Sequence, residues 1–500
     1  MPRSSSHKTV LLSLVALAFA STASADLERE IRAAIGSSGS GKSIISVSIR
    51  NAEDGSELVE IRDDRPMIPA SNMKLFTSGA ALHRLGTDFF TRTEMRLDDD
   101  TLWLVGGGDP ALGDPVILEN TTWVTEGNTQ ESLDVDLLVD LMVDTVLMEG
   151  VTELDEMIVD DRIFDRVFFH PDWPVDQLDK WYCAEVAGIN LHLNVLTVHM
   201  RPGTGSRPVL QRTEPRVPWL TPSIDATNRQ GKKDATKIGI SRPAGSNQLR
   251  IYGNIGEPIA AEVTLTDMPA TVVELMRNRL AQAGISVGTV RLATSEDLAP
   301  SGRLIKPTLS TPISVLLERC NTNSHNLYAE ALCKLIGHDV ENEPGSWENG
   351  TRAVRMVVRD RIGAAFAQAF QQADGSGLSR NNKVTAELIT AWLASFHQDD
   401  ELGPTFFESL AVAGSTGSVS RRCRDLPDGI RVDCKTGHIN GVSCLSGVVR
   451  SESGECLAFS VLCNQLDPKF GTTGAKRLQD RIVGLLADRL APARTAIGSN

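Results

Sequence analysis

The strongest constraint on the fold is that patterns typical of β-strands occur at both ends of the chain, with residues of different character between them. Residues 44–50 and 58–62 alternate apolar and polar side chains around Asp54-Gly55, which predicts an antiparallel hairpin. Strand-like runs also close the chain at residues 430–434, 442–449 and 457–463. One domain built from both ends requires these strands to meet in one sheet.

Helical patterns accompany these strands. One covers residues 27–35, and another begins at Ser71 and ends at Gly86. Later apolar spacings predict helices at residues 313–320, 326–336, 347–363, 385–396 and 475–490. Residues 89–306 instead show short strands, acidic loops and Gly/Pro punctuation, with one clear helical pattern at residues 270–283. We therefore predict one domain of helices and antiparallel sheet that is split by a long insertion.

The N-terminus has the features of a secretory signal peptide. Basic residues precede an apolar run at residues 10–19, which ends in Ala23-Ser24-Ala25. The run is too short to span a bilayer as a stable helix, and no cysteine follows the cleavage site to carry a lipid. We predict cleavage between Ala25 and Asp26, a secreted or periplasmic location, and no transmembrane anchor.

Charge and composition narrow the possible partners. Apolar residues make up 41% of the chain, which is ordinary for a globular protein and excludes a disordered or low-complexity one. The formal net charge is −14, and removal of the signal peptide, which holds two basic residues and no acidic one, makes it more negative. This balance argues against a nucleic-acid partner.

Eight cysteines in an exported chain allow up to four disulfides, whose pairing the sequence does not determine. Five of them cluster within residues 423–463, and none forms a C-x-x-C pair or lies beside histidines at ligand spacing. Because zinc sites need close ligand pairs, we interpret these cysteines as structural and expect no metal.

Residues 36–43 match the phosphate-binding pattern G-x-x-x-x-G-K-[ST] letter for letter. A P-loop follows a strand and opens a helix, so that helix N-terminal amides reach the phosphates. This segment instead follows a predicted helix and precedes a predicted strand. We therefore predict a flexible Gly/Ser loop and reject a nucleotide-dependent enzyme.

Three other short motifs occur in order along the chain: Ser71-x-x-Lys74, Ser324-His325-Asn326 and Lys435-Thr436-Gly437. Each is weak alone, because Ser5-x-x-Lys8 matches the first pattern by chance and Ser379-x-Asn381 matches the second. Their order and their contexts carry the argument.

In the first motif, the Ser71 hydroxyl lies at the start of a predicted helix and the Lys74 amine lies one turn later on the same face. A neutral lysine, its pKa lowered by burial and neighbouring cations, can take the hydroxyl proton. The helix N-terminus favours negative charge at the attacked carbonyl. The alternative is that Ser71 caps the helix and Lys74 is solvated.

The second motif precedes an apolar helix, so its side chains could project from a loop into a cleft. A second hydroxyl there can relay a proton to a leaving amine, and the Asn326 amide can hold a substrate backbone; a plain helix cap is the alternative. The third motif lies on a predicted strand. Its lysine and hydroxyl can bind a carboxylate, and its glycine lets another chain lie close, unless it is merely an edge strand with a solvated lysine.

These three motifs together are the set carried by penicillin-binding proteins and serine β-lactamases. Neighbouring segments resemble the class C low-molecular-mass penicillin-binding proteins, the D-alanyl-D-alanine carboxypeptidase/endopeptidase family. These segments are Leu104–Pro110, Trp181–Ala184, Asn326–Glu330, Asp374–Arg380 and Val384–Ala386. The resemblance runs through essentially the whole mature chain and includes the long gap between Ser71 and Ser324.

The resemblance implies an α/β (α+β) fold class. The expected core is a penicillin-recognising, serine transpeptidase/β-lactamase-like domain of antiparallel sheet and helices, with two nested, mainly β inserted domains. The expected borders are residues 1–25 for the signal peptide, 26–92 and 305–500 for the penicillin-recognising domain, 93–199 and 262–304 for inserted domain II, and 200–261 for nested domain III.

The resemblance also implies a serine D,D-peptidase that cleaves D-alanyl-D-alanine ends or D-alanyl cross-links of peptidoglycan stem peptides. β-lactam antibiotics are the expected covalent inhibitors, and no metal or organic cofactor is expected. The carried-over catalytic residues are Ser71 as acylated nucleophile, Lys74 as its base and Ser324 in proton transfer. The carried-over substrate-binding residues are Asn326, Lys435, Thr436, Gly437 and His438, with the Ser71 and His438 amides holding the oxyanion.

Three positions depart from the family pattern. His438 stands where a hydroxyl residue is usual and would meet the region of the substrate carboxylate. His325 stands where a small polar or acidic residue is familiar, and Cys183 replaces a glycine, which we interpret as local packing. A serine β-lactamase or esterase and a non-catalytic wall-binding homologue are the alternatives. The balance of carboxypeptidase and endopeptidase action, the stem-peptide diamino acid and the oligomeric state stay open.

Overall fold

The computed structural model describes residues 25–124, 130–229 and 236–491. The predicted signal peptide, apart from Ala25, lies outside these residues. Among them, no helix is long and apolar enough to cross a bilayer. The chain divides into two compact units, the first of Met1–Arg84, Leu317–Ser324 and Val354–Asn500, the second of Leu85–Leu316 and His325–Ala353. The three-domain division with borders near residues 92, 199, 261 and 304 stays a prediction.

The strands and helices are named in chain order. The strands are β1 (Ile44–Asn51), β2 (Glu57–Ile61), β3 (Phe90–Asp98), β4 (Thr101–Gly106), β5 (Thr122–Val124), β6 (Gln130–Ser132), β7 (Glu153–Asp160), β8 (Val195–Arg201), β9 (Val209–Glu214), β10 (Ser223–Ile224), β11 (Thr227–Asn228), β12 (Lys237–Ser241), β13 (Arg250–Ile255), β14 (Ile259–Thr264), β15 (Ser286–Leu292), β16 (Arg303–Pro312), β17 (Ala411–Val412), β18 (Ile430–Ile439), β19 (Val442–Ser451) and β20 (Cys456–Asn464). The helices are α1 (residues 25–37), α2 (Met73–Leu85), α3 (Pro115–Glu119), α4 (Val135–Met148), α5 (Met268–Gln282), α6 (Ile313–Asn321), α7 (Asn326–Glu341), α8 (Trp347–Ile362), α9 (Ala364–Ala369), α10 (Ala386–His397), α11 (Gly403–Glu408) and α12 (Gly471–Leu490).

In the first unit, strands from both ends of the chain form one six-stranded antiparallel sheet. Its order is β17-β18-β19-β20-β1-β2. The two ends join where β1 pairs with β20, from Ile44 opposite Asn464 to Asn51 opposite Leu457. The prediction that the terminal strands share a sheet, and with it the class of mixed helix and antiparallel sheet, is confirmed.

Helices cover both faces of this sheet. On one face, Ile31 of α1, Val47 of β1 and Ile482 of α12 belong to one buried apolar core. On the other face, the hydroxyls of Ser48 in β1 and Thr390 in α10 lie 2.8 Å apart. This alternation of apolar and polar side chains along β1 places one side against α1 and α12 and the other against α10.

Helix α2 is held in place by α10. The indole of Trp392 donates a hydrogen bond to the Leu75 carbonyl at 3.0 Å, and its ring lies 5.3 Å from that of Phe76. The first ten residues of α2 are all buried, including a lysine. The helix that begins just after Ser71 is therefore fixed in the interior of the first unit.

The second unit contains several smaller sheets. Its five-stranded sheet has the order β15-β7-β4-β3-β16, with parallel pairs between β15, β7 and β4 and antiparallel pairs from β4 to β16. A three-stranded sheet, β14-β8-β9, and a four-stranded sheet built around β13 share one apolar core with it and with α4 and α5. The inserted stretch is thus rich in short strands, as predicted.

The prediction of one clear helix within residues 89–306 is wrong, because α4 is a second long helix there. Its valines at 135, 139, 143 and 146 are β-branched, which lowers helix propensity. Packing of that apolar face against the core outweighs the propensity, and Asp134 caps the helix by accepting a hydrogen bond from Leu137 N.

The segment that imitates a P-loop has the context expected from the sequence. Residues 36–43 run from the end of α1 to the start of β1, and Lys42 is exposed. Since no helix follows this segment, it lacks the helix N-terminal amides that hold phosphate in a P-loop.

The eight cysteines all lie in the described part of the chain, and none of them is in a disulfide. The four disulfides that the sequence allows are therefore absent. The strand register explains part of this, because Cys444 lies opposite Gly437 and Leu462, and Cys463 lies opposite Ser443 and Ile45. Seven of the eight are buried, as structural cysteines should be.

We predict that all eight thiols are reduced in the purified protein. Alkylation with iodoacetamide in denaturant, without reductant, should add eight carbamidomethyl groups by intact mass. The native protein should react slowly, because burial raises the pKa of Cys434, Cys456 and Cys463 to about 12. A sample that reaches full labelling only after reduction would show that disulfides are present.

Candidate active site

Ser71 and Lys74 form a hydroxyl–amine pair at the start of α2. Ser71 lies half-buried in the 3₁₀ turn Ala70–Asn72, and Lys74 has no exposed surface. Lys74 Nζ lies 3.2 Å from Ser71 Oγ and donates a hydrogen bond to the Ser376 carbonyl oxygen at 2.9 Å. The predicted spacing therefore places the amine within proton-transfer distance of the hydroxyl.

The backbone turn before Ser71 leaves no room for a side chain at position 377. Ala70 has a positive φ of 47°, an uncommon conformation for alanine. Gly377 lies against it with a φ of 89°, and a Cβ on Gly377 would lie 1.9 Å from the Ala70 carbonyl oxygen. Only glycine fits at position 377 without moving the turn that carries Ser71.

A buried carboxylate shapes the loop that contains Gly377. Asp374 has no exposed surface and accepts hydrogen bonds from the backbone N–H of Gly377 at 2.8 Å, from that of Ser379 at 2.6 Å, and from Asn382 Nδ2 at 2.8 Å. These bonds fold the loop so that the carbonyl of Ser376 points to Lys74. In the sequence, this segment stands out only as part of the family resemblance. Its signal was an aspartate before glycines, the composition of a turn in which the side chain binds nearby amides.

Ser324 and Lys435 form a second hydroxyl–amine pair in the first unit. Lys435 has no exposed surface, and its Nζ donates to Ser324 Oγ at 2.7 Å and to the Thr436 carbonyl at 3.1 Å. Burial, together with the positive charge of Lys74, lowers the pKa of Lys435 to about 7. Lys435 can therefore hold or release a proton near neutral pH.

The third motif lies directly against the turn of the first. A Cβ on Gly437 would lie 2.5 Å from the Pro69 carbonyl oxygen, so glycine is what lets β18 pass this close. Asn72 Nδ2 donates to Ser446 Oγ of β19 at 2.6 Å. Strands β18 and β19 are thus joined to both sides of Ser71 by close backbone approach and by a hydrogen bond.

The residues at the open side of β18 are polar. Thr436 is half-buried, and its Oγ1 lies 2.7 Å from Ser418 Oγ. His438 is exposed, and its Nδ1 donates to the Val442 carbonyl at 2.9 Å. Ser418 is not predicted from the sequence, because nothing in the spacing of the three motifs points to a loop that precedes β18.

Asn326 and His325 belong to the second unit. Asn326 is the first residue of α7, and its Nδ2 donates to the Tyr182 carbonyl at 2.7 Å. His325 is buried, with its ring 5.5 Å from Trp181 and 5.4 Å from Tyr328. Cys183, the residue after Tyr182, is fully buried, which agrees with its interpretation as a packing residue.

The chemistry available in the first unit is acyl transfer through serine. Ser71 has an adjacent amine that can accept its proton, and the hydroxyl of Ser324 is held by the amine of Lys435. No group of His, Cys, Asp and Glu side chains within the described ranges is arranged to hold a metal ion.

Comparison with known proteins gives a family and a fold. Residues 27–488 match the family described as D-Ala-D-Ala carboxypeptidase 3 (S13). A D-alanyl-D-alanine carboxypeptidase of Actinomadura sp. (strain R39) is 28% identical over 448 residues, which are 84% of this chain and 78% of the relative.

Solved structures agree in fold. Penicillin binding protein 4 (dacB) from Haemophilus influenzae has a TM-score of 0.71 at 18% identity, covering 93% of this chain and 99% of that chain. A structure of the same protein complexed with a β-lactam has a TM-score of 0.66 at 19% identity, covering 94% and 99%. The fold class implied by the sequence resemblance is therefore confirmed.

We predict that Lys435 makes the stability of the protein depend on pH. Its pKa is 10.5 in an ordinary setting and about 7 in the fold, so between these values the unfolded chain binds a proton that the folded chain lacks. Stability should therefore rise as pH increases from 7 towards 10. Denaturant unfolding of the wild type and Lys435→Met should show the wild type gaining about 1 kcal/mol per pH unit relative to the variant. A constant difference between the two proteins would contradict the lowered pKa.

A second prediction concerns Asp374. Asp374→Asn keeps the shape but replaces one acceptor oxygen by an N–H donor, so at least one of the three donors around it loses its partner. The variant should lose about 1–3 kcal/mol of unfolding free energy. Denaturant unfolding at pH 7 measures this, with the exposed Asp54→Asn as the matched control. Equal stabilities of the two variants would show that the loop does not depend on the carboxylate.

Proposed function

Because the chain belongs to the D-Ala-D-Ala carboxypeptidase 3 (S13) family, we propose that it cleaves the bond after D-alanine in peptidoglycan stem peptides through an acyl-enzyme on Ser71. The activity, that of a serine-type D,D-carboxypeptidase acting on peptidoglycan, comes with the family. The assignment to Ser71 rests on one observation above all. The buried Lys74 amine lies 3.2 Å from the Ser71 hydroxyl and is held there by the Ser376 carbonyl.

Acylation follows from this pair. Ser71 Oγ attacks the carbonyl carbon of the penultimate D-alanine while Lys74 Nζ accepts the hydroxyl proton. The backbone N–H groups of Ser71 and His438 stabilise the developing oxyanion. The C–N bond then breaks, and Ser324 gives a proton to the leaving amine nitrogen, which departs as free D-alanine. The proton that Lys74 accepted replaces the one that Ser324 gave.

Deacylation uses the same groups, with water in place of Ser71 as the nucleophile. A water molecule attacks the ester carbonyl of the acyl-enzyme while Lys74, again neutral, accepts one of the water protons. The ester C–O bond breaks, and Ser71 Oγ recovers its hydrogen from Lys74. The shortened peptide leaves with a new carboxyl group. Lys435, hydrogen-bonded to Ser324 at 2.7 Å, keeps the second hydroxyl in place through both steps.

Substrate binding uses the two remaining motifs. Thr436 Oγ1 donates to the terminal carboxylate of the substrate, and Gly437 leaves space for the peptide along β18. Asn326 holds the substrate backbone with its amide. His438, which stands where the family usually has a hydroxyl residue, contributes its backbone N–H and leaves carboxylate binding to Thr436.

The same site accounts for the expected partners. A β-lactam presents a strained amide to Ser71, and the acyl-enzyme that it forms is the expected inhibited state. The Haemophilus protein has a solved structure in complex with a β-lactam. We also propose export through a signal peptide cleaved between Ala25 and Asp26. We propose the D-alanyl cross-link of peptidoglycan as a second substrate.

We also propose that residues 93–304 form the two inserted domains, with residues 200–261 nested as a domain of their own inside the other one.

The experiment follows release of D-alanine from an N-acylated peptide that ends in D-Ala-D-Ala. Ser71→Ala and Lys74→Ala should each lower kcat/KM by about a thousandfold or more, because each removes one member of the nucleophile–base pair. Lys42→Ala is the matched control, since Lys42 is an exposed lysine in the segment that imitates a P-loop. It should leave kcat/KM unchanged within about twofold.

Two outcomes would point elsewhere. Continuous turnover of a chromogenic cephalosporin over many equivalents would favour a β-lactamase, since a peptidase stalls near one equivalent. A wild-type protein that releases no D-alanine and takes no label from fluorescent penicillin would favour a non-catalytic wall-binding role.

A further inference from the structure

The loop that connects β17 to β18 brings a hydroxyl to the third motif. Ser418 lies on the 3₁₀ turn Gly417–Val419, and its Oγ is 2.7 Å from Thr436 Oγ1. Ser418 is exposed and Thr436 is half-buried, so solvent reaches this pair of hydroxyls. Neither the three motifs nor the proposed mechanism assigns a role to Ser418.

The loop is built to hold this position. Gly417 has a φ of 57°, and a Cβ there would lie 2.3 Å from the Thr322 carbonyl oxygen, two residues before Ser324. Val419 is buried, and its carbonyl accepts a hydrogen bond from Gly414 N at 3.1 Å. The hydroxyl of Ser418 is therefore carried by a short turn that is anchored on both sides.

Further hydrogen bonds tie the two ends of the loop. At its start, Val412 N donates to Thr416 Oγ1 at 2.9 Å. At its other end, Arg422 Nε donates to Asp480 of α12 at 2.9 Å. Because several bonds fix the backbone around it, the contact between Ser418 and Thr436 does not depend on a freely rotating loop.

We propose that Ser418 is a specificity-determining residue for substrates that end in a free carboxylate, and that it acts by orienting the hydroxyl of Thr436. This inference rests on the proposed function, in which Thr436 binds the terminal carboxylate. The favoured substrates are peptides with a C-terminal carboxylate, as opposed to peptides with an uncharged end, and Ser418 is the residue that favours them.

The chemistry of two adjacent hydroxyls supports this role. Each hydroxyl has one O–H donor and two acceptor lone pairs. When one donates to the other at 2.7 Å, a single O–H remains to point outward, and its donor strength is raised by the first bond. A carboxylate gains from such an aligned donor, because hydrogen bonds to charged groups are roughly twice as strong as neutral ones. An amide end gains much less.

The test compares two peptides that differ only at the C-terminus, one ending in D-Ala-D-Ala and the other in D-Ala-D-alaninamide. For Ser418→Ala, KM for the acid peptide should rise about tenfold while kcat changes less than about twofold. For the amide peptide, both constants should stay within about twofold. Ser418→Thr, which keeps the hydroxyl, should restore the wild-type KM for the acid.

Ser415→Ala is the matched control, because Ser415 is an exposed serine of the same loop. It should leave both peptides unaffected. Equal losses on the acid and the amide, or a loss in kcat with KM unchanged, would overturn the proposal and indicate a purely structural Ser418. Failure of the proposed function would differ from both results, because then the wild type itself would cleave neither peptide and would release neither D-alanine nor D-alaninamide.

Discussion

The candidate active site in the first unit depends on two lysine side chains without exposed surface, Lys74 and Lys435. A buried ammonium is costly unless hydrogen-bond acceptors replace its water. Lys74 has the Ser71 hydroxyl and the Ser376 carbonyl, and Lys435 has the Ser324 hydroxyl and the Thr436 carbonyl. Lys435 forms no salt bridge within the described residues, so its charge is paired with neutral oxygens. That arrangement keeps a proton mobile, because a carboxylate partner would hold the lysine charged.

The fold supplies these acceptors from distant parts of the chain. The sheet joins β1 to β20, and the side chain of Asn464 at the end of β20 holds the backbone of Ile68 by accepting from its N–H at 2.8 Å and donating to its carbonyl at 3.0 Å. Asp374 shapes the loop that offers the Ser376 carbonyl. Gly377 and Gly437 then allow that loop and β18 to approach the turn of Ser71. The nucleophile is positioned by backbone contacts more than by its own helix.

Much of this arrangement could be predicted from the sequence. Alternating side chains at both ends predicted the shared sheet, and the spacing in Ser71-x-x-Lys74 predicted the hydroxyl–amine pair, because helical geometry fixes which residues share a face. The pairing of Lys435 with Ser324 needed the fold, since no local rule brings positions 111 residues apart together. Ser418 and Asp374 were missed as site residues for the same reason. Their roles depend on which loop the chain folds back on, and that is decided by tertiary packing.

Covalent acylation of Ser71, with Lys74 as its base, is the step on which the proposed function depends. Peptide mapping by mass spectrometry after brief exposure to penicillin detects this step. We expect one adduct per chain, on the peptide that contains Ser71, and its formation should slow strongly in Lys74→Arg, where the guanidinium stays charged. An adduct on Ser324 or Ser418, or an adduct on Ser71 that forms equally fast in Lys74→Arg, would rule out this nucleophile and base.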